Sequence, residues 1–224
     1  MKHATFEPPG RALRQTSVIP LQRQTRKSTK PLAPATPVYR AAEDMVHELR
    51  PVMPITCLRP ATIASTTKWF LKSFPGEVMY AVKTNPDARV LKVIYHAGVR
   101  HFDVASLAEI KAVVAVAPDA QMYFMHPVKS RQAISRAYYE FGIRCFVLDS
   151  FGELQKILDE TGFAQDLTLV VRLATPNKYS ELDLSGKFGA PPAEAEKILR
   201  YAEKFCARLG VSFHVGSQCM NPQA

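Results

Sequence analysis

Residues 102–109, Phe-Asp-Val-Ala-Ser-Leu-Ala-Glu, and residues 146–153, Phe-Val-Leu-Asp-Ser-Phe-Gly-Glu, are two copies of one pattern. Each begins as a short apolar run carrying an aspartate and ends in S-x-x-E. In that box the serine oxygen satisfies an orphan backbone donor at a helix start and the glutamate reaches back to another. A strand, a turn and a helix are therefore written twice, with Ser106 and Ser150 44 positions apart. Repeated βα units of this kind make an α/β fold with a parallel sheet.

The same alternation extends on both sides. Strands are predicted at Glu77 to Val82, His101 to Ala105, Met122 to Met125, Arg144 to Leu148, Leu167 to Leu173 and Val211 to Val215. Most are apolar nearly throughout, as parallel strands covered on both faces must be. Ala195, Ile198, Leu199, Ala202, Phe205 and Leu209 follow helical spacing, with Pro191 and Pro192 ahead and Gly210 beyond, which predicts one helix leading into the sixth strand.

The chain of 224 residues is 47% hydrophobic and 22% charged, enough to bury a sizeable core. No stretch approaches the roughly 20 apolar residues of a membrane-spanning helix. Cys57, Cys145, Cys206 and Cys219 are widely spaced, with neither a C-x-x-C pair nor an export signal. They read as reduced thiols of a cytoplasmic protein, and no metal site is expected.

The net charge of +9 suggests nucleic acid until its distribution is read. Residues 1–40 hold eight basic side chains against the single acid Glu7, which leaves 21 basic and 19 acidic side chains in the rest. The globular part carries no built-in affinity for phosphate backbones. Residues 1–40, rich in Pro, Thr, Gln and Arg without periodicity, are expected to be a disordered basic tail. An organelle-targeting leader and a nucleic-acid-binding arm are the alternatives. The folded domain is expected over 41–224.

Lys83, Asp103, His126, Asp149, Arg172 and His214 each fall at or near the C-terminal end of a different predicted strand. In a (β/α) barrel those ends converge on the active site. A doubly wound dinucleotide fold would need a glycine-rich turn after its first strand, and residues 80–86, Tyr-Ala-Val-Lys-Thr-Asn-Pro, contain no glycine. Lys83 is either a strand-end lysine snorkelling to water or an amine in a partly desolvated pocket that can condense with a carbonyl. Its position alone does not choose.

Five segments in order add to this: Tyr80-Ala-Val-Lys-Thr-Asn-Pro86, Phe102-Asp-Val-Ala-Ser106 with Glu109, Arg172-Leu-Ala-Thr175, Lys187-Phe-Gly189 and Ser212-Phe-His-Val-Gly-Ser-Gln-Cys219. Together they resemble the pyridoxal-phosphate (PLP) decarboxylases of ornithine, lysine, diaminopimelate and arginine, over roughly residues 45–222. The resemblance implies a TIM-type (β/α)8 PLP-binding barrel like that of alanine racemase. It implies that Lys83 carries the cofactor as a Schiff base, that His214 stacks on the cofactor ring and that Ser217 contacts its phosphate. Arg172 would stand near the ring oxygen and Asp103 on the lysine side. Either could instead be half of a structural ion pair, and the capping role already accounts for Glu109. Lys187 matches a lysine that pairs with a partner subunit, and a homodimer is the family's assembly.

The sequence stops at Asn221-Pro-Gln-Ala224, just past the sixth predicted strand. Members of the family continue with two more barrel strands, a glycine-rich phosphate loop, an acid for the pyridine nitrogen and a C-terminal β-domain. A barrel cut at six strands leaves two unpaired edges. The chain taken alone is therefore expected to be inactive or nearly so. The activity implied is decarboxylation of a basic amino acid, with L-ornithine, giving putrescine in polyamine biosynthesis, the preferred substrate. That preference rests on His126-Pro-Val-Lys129 and Leu184-Ser-Gly-Lys-Phe-Gly-Ala190. A non-catalytic antizyme-inhibitor-like relative, a lysine or diaminopimelate decarboxylase, and a small PLP-carrier barrel are the alternatives.

Overall fold

The computed structural model describes residues 37–175, the backbone of 180–182, and residues 186–221. The chain divides into two compact units, one ending at Ile55 and one beginning at Thr56. The first contains helix α1 (Ala42–Leu49), where the Tyr39 hydroxyl donates to Glu48 at 3.2 Å. Among the described residues no helix is long and apolar enough to cross a membrane.

The second unit is a run of βα units. Helix α2 (Pro60–Ser73) leads to β1 (Met79–Ala81), α3 (Ala88–Ala97), β2 (His101–Val104), α4 (Leu107–Val116) and β3 (Gln121–Phe124). Then come α5 (Arg131–Tyr139), β4 (Cys145–Leu148), α6 (Phe151–Glu160) and β5 (Thr168–Arg172). A short β6 (Ser180–Leu182), α7 (Pro192–Ala202), β7 (Arg208–Ser212) and β8 (Ser217–Cys219) complete it. The main sheet has the order β1-β2-β3-β4-β5-β7, every neighbouring pair parallel. This is the strand sequence of a (β/α) barrel, with β1 and β7 at the two edges of the described sheet.

Alternation along the strands sorts the core into two faces. Phe102, Val104, Phe124, Phe146, Leu148 and Leu169 are fully buried in the larger cluster, against Leu91, Ile110, Ile134 and Leu154 from the helices. Cys145, Val147 and Val170 form a smaller cluster on the opposite face with Tyr123 and Met125. Register carries polar groups onto that second face near the strand ends: Asp103 pairs with Tyr123, and Arg172, two residues past Val170, pairs with Ser212.

Both S-x-x-E boxes start helices, but each departs from the reciprocal pattern. Ser106 Oγ accepts from the Glu109 N–H at 3.3 Å, while Glu109 accepts from the N–H of Ala105, one residue earlier than the cap. Ser150 Oγ likewise accepts from the Glu153 N–H at 3.3 Å, but the Glu153 carboxylate turns to Lys129. Two further expectations are corrected. The helix predicted to run on to Leu209 ends at Ala202, followed by a 3₁₀ turn over Glu203–Phe205. The sixth sheet strand lies at Arg208–Ser212 rather than at Val211 to Val215, because it pairs residue for residue with Thr168–Arg172. The β6–β8 antiparallel ribbon has no counterpart among the predicted strands.

Candidate functional site

Lys83 sits in a 3₁₀ turn, Val82–Thr84, directly after β1. Val82 is fully buried and anchors the turn, while Lys83 itself is exposed. Residues 85–87 are turn chemistry: Asn85 Oδ1 accepts from the Asp87 N–H at 3.1 Å, and Asp87 caps α3 by accepting from the Arg89 N–H at 2.8 Å. Tyr80 closes the loop with its hydroxyl on the Asn85 carbonyl at 3.3 Å.

His214 lies two residues beyond β7 and is exposed, yet its ring is held. The Gly216 N–H donates to its Nδ1 at 2.9 Å, so a neutral ring carries its proton on Nε2. Its carbonyl accepts from the Thr175 hydroxyl at 2.9 Å, which gives the threonine of the Arg172-Leu-Ala-Thr175 segment a definite task. Gly216 has φ +91, a left-handed conformation suited to glycine. Ser217, half-buried, opens β8 immediately afterwards.

Charge joins these residues. Burial pushes the Asp103 carboxyl above its ordinary value of 3.8; the charges of Lys83, Arg172 and His126 oppose this and that of Glu109 adds to it. His214 is pushed below its usual value by burial, then by the positive charges of Arg172 and Lys83. Burial also lowers Arg172, with Asp149 and Asp103 holding its proton on. The strand-end groups picked out in the sequence thus share one electrostatic environment at the C-terminal ends of the strands. A cavity of about 430 Å³ lies at the opposite ends, lined by Glu77, His101, Gln121, Arg144 and Arg208, and contains none of them.

Phe188 was not assigned from the sequence, and His126 and Asp149, picked out there only as strand-end groups, acquire definite contacts. The Phe188 ring lies under the Arg172 guanidinium at 5.5 Å and meets the His126 ring edge-on at 5.5 Å. His126 is pinned like His214, with Nδ1 accepting from the N–H two residues on, here Val128 at 3.1 Å. Asp149 accepts from the Gly189 N–H at 3.0 Å and so seats the Phe188 segment. Lys187, given an interface role by resemblance, is exposed with its ammonium 5.8 Å from the Phe188 ring.

The chemistry of this donor set fits a pyridoxal group: an accessible amine, an oriented imidazole, a guanidinium and a half-buried acid. Among the described residues, Ser212 Oγ, buried and with its residue paired in register with Arg172, has no hydrogen-bond partner.

Asp103 supports a pH prediction. Its folded-state value is raised, so its contribution to stability is present below about 3.8 and lost as pH rises through the folded value. At neutral pH the ionised, half-buried carboxylate destabilises the fold. Asp103→Asn is expected to unfold at a higher temperature than wild type at neutral pH, the gap closing as pH falls through the raised folded value and gone by about 3.8. A variant that melts lower at neutral pH would contradict this origin.

The fold and this polar rim define the class: an α/β barrel-type domain with a lysine, an imidazole, a guanidinium and carboxylates gathered at the ends of its strands. Residues 60–224 match the family model described as the pyridoxal-binding domain of pyridoxal-dependent decarboxylases, and the chain belongs to that family. It is 34% identical over 149 residues to a lysine/ornithine decarboxylase of Selenomonas ruminantium, covering 66% of this chain and 37% of that one. It is 36% identical over 159 residues to antizyme inhibitor 2 of Xenopus laevis, covering 69% and 34%. A mutant of SrLDC solved in complex with PLP superposes with a TM-score of 0.73 at 28% identity, over 83% of this chain and 48% of that one. The chain spans a little over a third of the length of these curated relatives and about half of the solved chain.

Proposed function

We propose that this chain binds PLP through Lys83 and serves the decarboxylation of a basic amino acid, with L-ornithine the leading substrate. The observation that carries the reading is the shared electrostatic environment of Lys83, Asp103, Arg172 and His214 at the strand ends. When bound, PLP supplies an aldehyde that captures amines and a ring that accepts the electrons released as carbon dioxide departs.

The chain's own residues hold and orient. The Lys83 amine, on a turn anchored by buried Val82, would hold the aldehyde group. His214, kept neutral by burial and by its cationic neighbours, offers a flat uncharged ring whose tilt Gly216 fixes. Arg172, braced on Phe188, would bind on the ring-oxygen side, and Asp103, whose charge is coupled to that of Lys83, would stand on the lysine side. Ser217 would hold the phosphate, a small hydroxyl next to Gly216 allowing close approach.

Ornithine is favoured by the lysine/ornithine decarboxylase relative and by the His126-Pro-Val-Lys129 segment. The assembly proposed is a homodimer, with Lys187 at the subunit interface, and the location cytoplasmic, in keeping with four free cysteines. The domain limits proposed are a tail through residue 40 and a barrel domain over 41–224; the family match from residue 60 supports the latter.

Similarity to antizyme inhibitor 2 favours a second reading, a non-catalytic regulator. Titrating the chain with PLP and following its visible absorption decides between them. The proposed function requires a saturable band that changes when L-ornithine is added and changes less with diaminopimelate. A chain that develops no band overturns it and leaves the regulator.

A further inference from the structure

Lys129 and Glu153 are the most deeply buried charges described, with side chains 0% and 4% exposed and Nζ and Oε1 2.9 Å apart. Lys129 Nζ also donates to the carbonyls of Val147 at 2.6 Å and His126 at 3.0 Å. The Lys129 backbone N–H donates to the same Glu153 oxygen at 3.2 Å, which is why that carboxylate leaves its capping box. Burial lowers the Lys129 ammonium from its ordinary value, and Glu153 holds the proton on.

Stability alone does not account for such a pair. Desolvating two charges costs about what their attraction returns, and apolar replacements are often neutral or stabilising. Its placement suggests another task. Both supports of Phe188 meet at this pair: Lys129 grips the turn carrying His126, whose ring abuts Phe188. It also grips Val147, two residues before Asp149, whose carboxylate holds the Gly189 N–H. Phe188 in turn carries the Arg172 guanidinium.

We propose that the Lys129–Glu153 pair is the positioning device of the site rim, locking the His126 turn and the end of β4 so that Phe188 stays seated beneath Arg172. The consequence for PLP rests on the function proposed above; the mechanical part does not. Among the described contacts, neither side chain bonds Lys83, Arg172 or His214.

Amide hydrogen exchange on the cofactor-free chain tests the mechanical part directly. In Lys129→Met, the Val128 and Gly189 amides are expected to exchange about tenfold faster or more, while Phe102 and Val104 in β2 keep their wild-type rates. Glu153→Gln keeps the shape, removes the charge and is expected to loosen the same amides. It is the deciding variant should Lys129→Met not fold. Unchanged exchange at Gly189, or equal acceleration across the whole sheet, overturns the proposal. In a parallel PLP titration both variants should still form the visible band, because Lys83 is intact, but with affinity lowered about tenfold. Wild-type affinity in both variants also overturns it. A wild-type chain that forms no band counts against the proposed function and leaves the exchange result standing.

Discussion

Lys83→Ala is expected to abolish the visible absorption that PLP develops on the chain, while leaving folding untouched. Lys83 is exposed, and among the described residues it enters no hydrogen bond or salt bridge, so its truncation should change stability by no more than about 0.5 kcal/mol. The turn does not depend on its side chain. Val82 is buried beneath it, and the Tyr80, Asn85 and Asp87 bonds fix the path of the chain into α3. The cofactor, by contrast, needs a neutral amine that it can reach. Lys129 is buried and paired, which removes it from contention. Among the described residues Lys187 is another exposed amine near the rim, 5.8 Å from the Phe188 ring, so Lys187→Ala is the control and should keep the band. Melting curves together with a PLP titration check both halves. A band that survives Lys83→Ala contradicts the assignment.

Gly189→Ala is expected to cost the fold several kcal/mol. Gly189 has φ +106, where an L side chain is strained by about 1–3 kcal/mol. An added Cβ would also lie 2.6 Å from the Ala174 nitrogen and 2.7 Å from the Leu173 carbonyl carbon. Those are backbone atoms, fixed where the Ala190 N–H donates to Arg172 at 2.8 Å and the Ala174 N–H to Ala190 at 2.9 Å. They cannot step aside, and overpacking adds about 1–3 kcal/mol more. The strand end that carries Arg172 must shift, and Phe188 with it. Gly142 is the comparison: φ is +68 and nothing lies within 4 Å of the added Cβ, so Gly142→Ala should show the backbone strain alone, about 1–2 kcal/mol. Denaturant unfolding of the two variants measures the difference. Equal losses would mean that the close approach at Gly189 carries no energy.

How much of the fold is legible in the chain depends on the range of the forces involved. Short, nearly continuous apolar runs and serine caps are local, and they place the first five strands within a few residues and the starts of α4 and α6. The start of β7 is not local. Phe205 and Leu209 fit a helical stripe, yet Phe205 packs on the core from a 3₁₀ turn, and pairing with β5 pulls residues 208–212 into the sheet. Position at a strand end is enough to select Asp103, Arg172 and Lys83, because the fold gathers strand ends whatever the side chains are. It does not select Phe188, Thr175 or the Lys129–Glu153 pair. Phe188 acts across the fold on Arg172, Thr175 on His214 39 residues away and Lys129 on Glu153 24 away, and no spacing rule encodes such contacts. The glutamate of the second S-x-x-E box shows the limit clearly, since its sequence pattern reads as a cap and its carboxylate serves a buried lysine.

Reductive trapping with borohydride after incubation with PLP, followed by peptide mapping, locates the attachment point at the level of a single side chain. The added pyridoxyl mass is expected on the peptide containing Lys83, and on no other lysine at one equivalent of cofactor. Mass on Lys187 or scattered over surface lysines, with Lys83 unmodified, would contradict the account.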